Sequence, residues 1–380
     1  MFFAFAVIFL ALGGVSYYVA RKIHSGLISL SISVNFWIVL AIVSFLTLVM
    51  ILGFVGPMLS FPAVLKHIIS TVAFCWMGIF IYILLYSLVS DAVYLVLKLF
   101  RAGIASHKLY KGISLLTVLF LALSTSVYGF CNARCIRQVS YSVSMTHGEN
   151  ISDMRIAMIS DLHLGALGSE SRLEDIVDEI NSQNPDLICI SGDFFDTDFN
   201  SIKDVEGAKT TLKKLSATYG VYACLGNHDA GKTFSLMKDF LKDANITLLN
   251  EDYRIIDDRF ALVGRADASP IGGAEKEGRG ELGDFFTPPE KMPVIIMDHN
   301  PARINEYSGD GYLVLSGHTH KGQLFPAGIV TGLMYDVDYG YYQKDKNSPH
   351  VIVSSGIGYW GMPMRVGTNS EIVSITFSEK

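Results

Sequence analysis

The sequence predicts an α/β domain preceded by four transmembrane helices. Three observations predict it. Long apolar runs crowd into the chain before about residue 132. Beyond about residue 150, short strand-like runs alternate with helical patterns. Motifs rich in His, Asp and Asn follow the ends of those runs.

A membrane-spanning helix needs roughly 20 mostly apolar residues. Four runs qualify: Phe2–Ala20, Phe36–Met58, Ile68–Leu97 and Ile113–Phe130. The first is not read as a cleaved signal, because Arg21 and Lys22 follow it instead of a basic segment preceding it. Asp91 is the only charged residue within the four runs. A mid-bilayer acid would suggest an ion path. The third run exceeds what a bilayer needs, so Asp91 is placed at its wet end, and anchoring is expected rather than transport. Loops on one side carry Arg21, Lys22, Lys98, Arg101, Lys108 and Lys111; the other side offers Lys66, Arg134 and Arg137. The richer side is expected in the cytoplasm, which puts the C-terminal domain outside it. The expected map is 1–133 helices, 134–150 polar linker and 151–380 domain.

A net charge of -6 without a basic patch argues against nucleic-acid binding. Five cysteines without a CxxC pair exclude a disulfide scaffold. Cys75, Cys189 and Cys224 are expected as buried thiols. Cys131 and Cys135 lie one helical turn apart.

In the domain, strand-like runs cover Ile156–Ser160, Leu187–Ser191, Val221–Leu225, Ala261–Gly264, Val294–Met297, Tyr312–Leu315, Val351–Ser354 and Ile372–Phe377. Leu173, Ile176, Val177 and Ile180 recur at helical spacing, with Ser171 and Glu174 as a capping box. Later strands lack intervening helices, so a mixed sheet system is expected.

Asp161-Leu162-His163, Gly192-Asp193, Gly226-Asn227-His228-Asp229, His299 and Gly317-His318-Thr319-His320 all follow strands. Strand ends on one sheet edge converge on a crevice, so distant motifs can meet there. Asp161, His163, Asp193, Asn227, His299, His318 and His320 offer only oxygen and imidazole nitrogen. That donor set suits manganese, iron or zinc better than calcium or magnesium. Seven ligands exceed one ion's needs and suit two divalent ions if one carboxylate bridges. Two carboxylates offset only half of that charge. The remainder would bind a phosphate and acidify a bridging water. Asp-x-His alone, or Gly-Asp alone, reads as an ordinary turn; five motifs in order, each after a strand, do not.

At these residues the sequence resembles the calcineurin-like metallophosphoesterase family, over about 152 to 377. The resemblance implies a two-sheet αββα sandwich with metals at strand ends. It implies Asp161, His163 and His320 on one metal, Asn227, His299 and His318 on the other, and Asp193 bridging. It also implies His228 as the catalytic histidine, oriented by Asp229. Lys321-Gly322-Gln323 and Ser355–Trp360 look like a bacterial subgroup that often carries membrane segments. Some of that subgroup cleave the pyrophosphate of UDP-diacylglucosamine. The expected reaction is attack by a metal-bridging hydroxide on a phosphodiester or pyrophosphate of a lipid or envelope component. A phosphomonoesterase and a non-catalytic membrane scaffold or sensor are the rival readings.

Four further expectations concern neighbours of the motifs. Arg365, in a loop after Gly361-Met362-Pro363, is expected to bind substrate phosphate. Asp298 is expected to face outward, since adjacent strand residues alternate. Asp196 and Asp198 are read as turn residues, with Asp196 and Asp267 as candidates to back the ligands. Tyr359 and Trp360 are read as rim or core packing.

Overall fold

A computed structural model describes residues 2–56, 59, 61–100, 107–147, 151, 153–165, 167, 169–272 and 279–377. The chain forms two units. One holds residues 1–131 with 361–364; the other holds 132–360 with 365–380.

The first unit consists of α1 (Phe2–Ser29), α2 (Phe36–Val55), α3 (Ala63–Leu99) and α4 (His107–Arg134), whose last residues enter the second unit. Among the described residues three helices, not the expected four, are long and apolar enough to cross a membrane: Phe36–Val55, Val64–Leu99 and Lys108–Arg134. The described side chains of α1 do not supply such a span: from Leu10 onward they include Gly13, Gly14, Arg21, Lys22 and His24. Hydroxyls join the helices where apolar packing alone gives little specificity. Ser16 bonds Thr47 at 2.9 Å, Tyr86 bonds Thr125 at 2.8 Å and Ser90 bonds Ser114 at 2.6 Å. Asp91 pairs with Lys22 at 2.5 Å and accepts from the Tyr18 hydroxyl at 2.5 Å. A cavity of about 360 Å³ opens beside this pair. Thirty-seven residues of α3 rise about 55 Å, against about 30 Å of hydrocarbon. Asp91 is half exposed and paired, towards the end of that helix.

The second unit is a sandwich of two six-stranded sheets. The first sheet runs β1 (Ile136–Val143), β12 (Ser370–Phe377), β2 (Arg155–Ile159), β3 (Leu187–Ser191), β4 (Val221–Cys224) and β5 (Thr247–Leu248) in that spatial order. The second runs β10 (Gly340–Tyr342), β11 (His350–Val353), β9 (Tyr312–Ser316), β8 (Val294–Met297), β7 (Phe260–Gly264) and β6 (Asp252–Ile256). β2, β3 and β4 are parallel to one another, as are β7, β8, β9 and β11. Alternation sorts their side chains. Ile156, Met158, Leu187 and Cys189 face the second sheet and meet Leu262, Ile295, Met297 and Leu315. Ala157, Ile159, Ile188 and Ile190 face outward, under α5 (Leu173–Ser182), α6 (Val205–Leu212) and α7 (Phe234–Asp243). The outer face of the second sheet is covered instead by Phe286, Ile304, Tyr307 and Val337, from loops and a 3-10 turn. This departs from a helix layer on both sides.

Two local expectations are corrected. Residues 136–143 of the expected linker form β1, an edge strand paired in parallel with β12. Its exposed, polar positions carry too weak an apolar pattern to be read as a strand. The capping box at Ser171 does not form. Ser169–Arg172 make a 3-10 turn, and α5 begins at Leu173 with no side-chain cap. Cys189 and Cys224 are buried as expected, Cys75 is only partly buried, and Cys131 and Cys135 are exposed.

Candidate metal centre

Parallel strands deliver the chemistry to one edge. Asp161 and His163 follow β2, Asp193 follows β3 and Asn227 follows β4. His299 follows β8, and His318 and His320 follow β9. The loops are laced together beyond the strands. The Asp161 N–H donates to Gly192 O at 3.0 Å, and the His163 N–H to Asp193 O at 3.0 Å. The His318 N–H donates to the Asp161 carboxylate at 3.1 Å. The His228 N–H donates to Asp193 Oδ1 at 2.8 Å.

Five of the seven expected ligands have left-handed backbone: Asp161 at φ 55°, His163 at 50°, Asp193 at 50°, His318 at 70° and His320 at 48°. Non-glycine residues rarely adopt it, and where they do the surrounding structure enforces it. The glycines of the motifs are there for close approach. A Cβ on Gly226 would lie 2.2 Å from Asp193 Oδ1, and one on Gly317 2.3 Å from Asp161 Oδ2. Any side chain at either position would drive into a ligand.

The donors form two clusters, Asp161 with His163 and His320, and Asp193 with His299 and His318. In the first, His163 Nε2 lies 3.2 Å from His320 Nε2, which lies 3.3 Å from Asp161 Oδ1. In the second, His299 Nε2 lies 3.2 Å from Asp193 Oδ2 and 3.3 Å from His318 Nδ1. Asn227 Oδ1 is 2.8 Å from His318 Nδ1. Asp193 Oδ2 also lies 3.8 Å from His163 Nε2, so this carboxylate stands between the clusters. Bonds of about 2.1 Å to a shared ion would set neighbouring donors about 3.0–3.4 Å apart. The observed spacings fit that requirement.

Electrostatics agree. Burial lowers His163 well below the usual histidine range, and lowers His320 to about 4 with Arg365 adding to the effect against the pull of Asp161. Both are therefore neutral, the form that ligates. Burial opposes charge on His299 too, but the Asp193 carboxylate beside it raises its pKa well above the usual value. His299 Nδ1 faces Ser191 O at 2.9 Å, which leaves Nε2 aimed at the cluster.

Two expected roles change. Asp229 does not touch the ring of His228. Its carboxylate accepts the N–H groups of Phe194, Phe195 and Gly226 at 3.1, 2.8 and 2.9 Å. It clamps the loops after β3 and β4 together, and burial with the nearby Asp193 charge pushes it up to about 7. The contact that orients His228 comes from Thr197, whose Oγ1 is 2.7 Å from Nδ1, with Asp196 at 3.7 Å. Arg365 is fully buried. It donates to Ser355 O and Gly358 O, each at 2.7 Å, and to Thr368 Oγ1 at 3.2 Å. A guanidinium so committed to carbonyls is a tie for the 355–358 loop, not a free phosphate receptor. Asp298 lies on the outer face of the second sheet, as alternation predicts, but is buried there: it accepts both Arg279 Nη groups at 2.8 Å and the Tyr307 hydroxyl at 2.6 Å.

Of the remaining neighbours, Asp196 joins His163 and His228 in a third cluster of possible ligands. Asp198 caps the 3-10 turn after it. Asp267 is buried and accepts from the Ser269 N–H at 2.6 Å. The half-exposed Trp360 ring lies 6.0 Å from that of His228, its backbone held on both sides by Gln323. Thr197 carried no signal in the sequence, because nothing in Asp193-Phe194-Phe195-Asp196-Thr197 says which residue turns back.

Residues 154–322 match the family model for calcineurin-like phosphoesterases. An uncharacterized metallophosphoesterase of Helicobacter pylori is 32% identical over 238 residues, 60% of each chain. One from Campylobacter jejuni is 33% identical over 236 residues, again 60% of each. A Danio rerio transmembrane protein with metallophosphoesterase domain is 29% identical over 334 residues, 82% of this chain and 74% of its own. The chain thus spans about 60% of the length of the bacterial relatives.

Proposed function

We propose that this chain, which carries a calcineurin-like metallophosphoesterase domain, is a membrane-anchored hydrolase of a phosphodiester or pyrophosphate that works with two divalent ions. The observation that carries the reading is Asp193, a buried carboxylate that belongs to the cluster of His299 and His318 and also lies 3.8 Å from His163 of the other. Asp161, His163 and His320 would hold one ion, and Asn227, His299 and His318 the other. When bound, the ions supply Lewis acidity towards water and the phosphoryl oxygens.

The chain's own residues supply the rest. Strained loops fix the ligands before any ion arrives, so little reorganisation remains. Asp229 locks the loop carrying Asn227 and His228 to the loop carrying Asp193. Thr197 fixes the His228 ring, whose ring centroid lies 5.1 Å from that of His163. His228 is thereby placed to contact the phosphoryl group or protonate the leaving oxygen. Arg365 stays behind His320 and shapes the loop, so phosphate recognition falls to the ions and His228. Three apolar helices support the anchor, and a lipid-linked or envelope substrate follows from location. The extracytoplasmic orientation remains part of this proposal, resting on the loop charges.

The test is hydrolysis of bis-(p-nitrophenyl) phosphate by the full chain in detergent, with and without manganese, beside Asp193→Ala. Activity should need added metal and fall at least about a thousandfold in the variant, some 4 kcal/mol of barrier. A metal-loaded wild-type chain without turnover on diesters, pyrophosphates or monoesters would favour the scaffold reading.

A further inference from the structure

α8 (Ala327–Met334), with sequence AGIVTGLM, contains no buried residue. Ile329 is 59% exposed, Val330 55%, Leu333 84% and Met334 69%, with Phe325 at 55% just ahead. No charged residue occurs between Phe325 and Tyr335. At about 100° per residue, Ile329, Val330, Leu333 and Met334 share one broad side of the helix, and Gly328, Thr331 and Gly332 share the other. The small side packs on the metal-site loop. A Cβ on Gly322 would lie 2.2 Å from the Gly328 nitrogen, so backbone meets backbone there. Thr331 donates to Asp338 Oδ2 at 2.9 Å. Gly322 is two residues past His320, so α8 is pinned to a ligand-bearing loop while its four large apolar side chains stay exposed.

We propose that α8 inserts its apolar side into the lipid bilayer and so holds the His320 loop at the membrane surface. Two features favour lipid over a protein partner. The chain carries apolar helices of membrane-spanning length, and β1 starts two residues after α4 ends, which ties the domain to them by a short stretch of chain. Phe325 and Tyr335 flank the helix, as aromatic residues flank segments at the lipid–water boundary. The inference rests on the membrane-anchored half of the reading above, not on catalysis.

The test uses the full chain in phosphatidylcholine nanodiscs, with Cys131 and Cys135 replaced by Ser. An environment-sensitive fluorophore is attached in turn at Leu333→Cys, at Leu48→Cys on α2 and at Lys346→Cys, an exposed polar position of the domain. Replacing the lipid by its dibromo-acyl form should quench the labels at 333 and 48 by half or more and leave 346 unchanged. Quenching at 48 but not 333 overturns the insertion of α8 alone. No quenching at 48 overturns the anchored reading with it. Emission from 333 that shifts with protein concentration and ignores bromolipid would assign the apolar side to a second copy of the chain.

Discussion

The two halves of the metal centre use the same donor types but have opposite charges behind them. Behind His320 stands Arg365, a buried cation whose Nη2 lies 3.4 Å from His320 Nδ1. Beside His299 in the chain stands Asp298, a buried anion held by Arg279 and Tyr307. Each charge is balanced differently. Arg365 is surrounded mainly by carbonyl oxygens, and burial brings it down to about 10. Asp298 is neutralised by a bidentate ion pair, which Glu306 joins through Arg279 at 2.6 Å. The lesson is that similar ligand sets need not bind ions equally. A positive charge behind one set weakens its hold on a cation; behind the other, the cation Arg279 is offset by its ion pair with Asp298.

The largest break in this comparison comes from the ion pair. Arg279→Ala leaves Asp298 buried and unpaired, and should cost about 3–5 kcal/mol of stability. Thermal unfolding of the metal-loaded protein measures it. Adding Asp298→Asn should recover most of the loss, since the stranded charge then disappears. Failure of the second change to rescue would mean that Arg279 acts through Glu306 or Tyr307 instead.

A smaller effect sharpens the electrostatic side. Stepwise chelation of the loaded wild-type chain should release one ion per chain before the other, the first from the His320 side. Arg365→Gln should tighten that side about tenfold, or 1.4 kcal/mol, and draw the two release steps together. Metal content per chain, followed during a chelator titration, reads both. Unchanged steps in a folded Arg365→Gln protein would show that its charge is screened from the ion and that its tie to Ser355 and Gly358 is its whole role.

What could be read from sequence follows from what each residue's neighbours are. The ligands were legible because each follows an apolar strand, and strands β2, β3, β4, β8 and β9 formed close to where their composition placed them. β1 was not, because an edge strand with half its face in water lacks a strong apolar pattern. Arg365 in a glycine-rich loop reads as available for phosphate; only the folded loop shows its carbonyls turned inward to take it. Asp229 follows His228 directly, yet the turn sends its carboxylate to backbone N–H groups and leaves the ring to Thr197, 31 residues earlier. The left-handed backbone of five ligands has only a weak signature in residue type: Asp and His are enriched there, yet most of them lie elsewhere. In each case the missing information is where a turn points a group, which spacing alone does not encode.

The smallest effect concerns that threonine. Its hydroxyl is 2.7 Å from His228 Nδ1, and it belongs to neither ligand cluster. Thr197→Val keeps the shape and removes one hydrogen bond, worth about 1 kcal/mol. Turnover of a soluble diester should fall about fivefold, with KM, metal content and unfolding temperature near wild type. Thr197→Ser, which restores the hydroxyl, should recover most of the rate. A role in ion binding would lower metal content instead, and a purely structural role would lower the unfolding temperature and leave kcat alone. A fall in kcat without either marks Thr197 as the residue that positions the histidine ring, the task the sequence had assigned to Asp229.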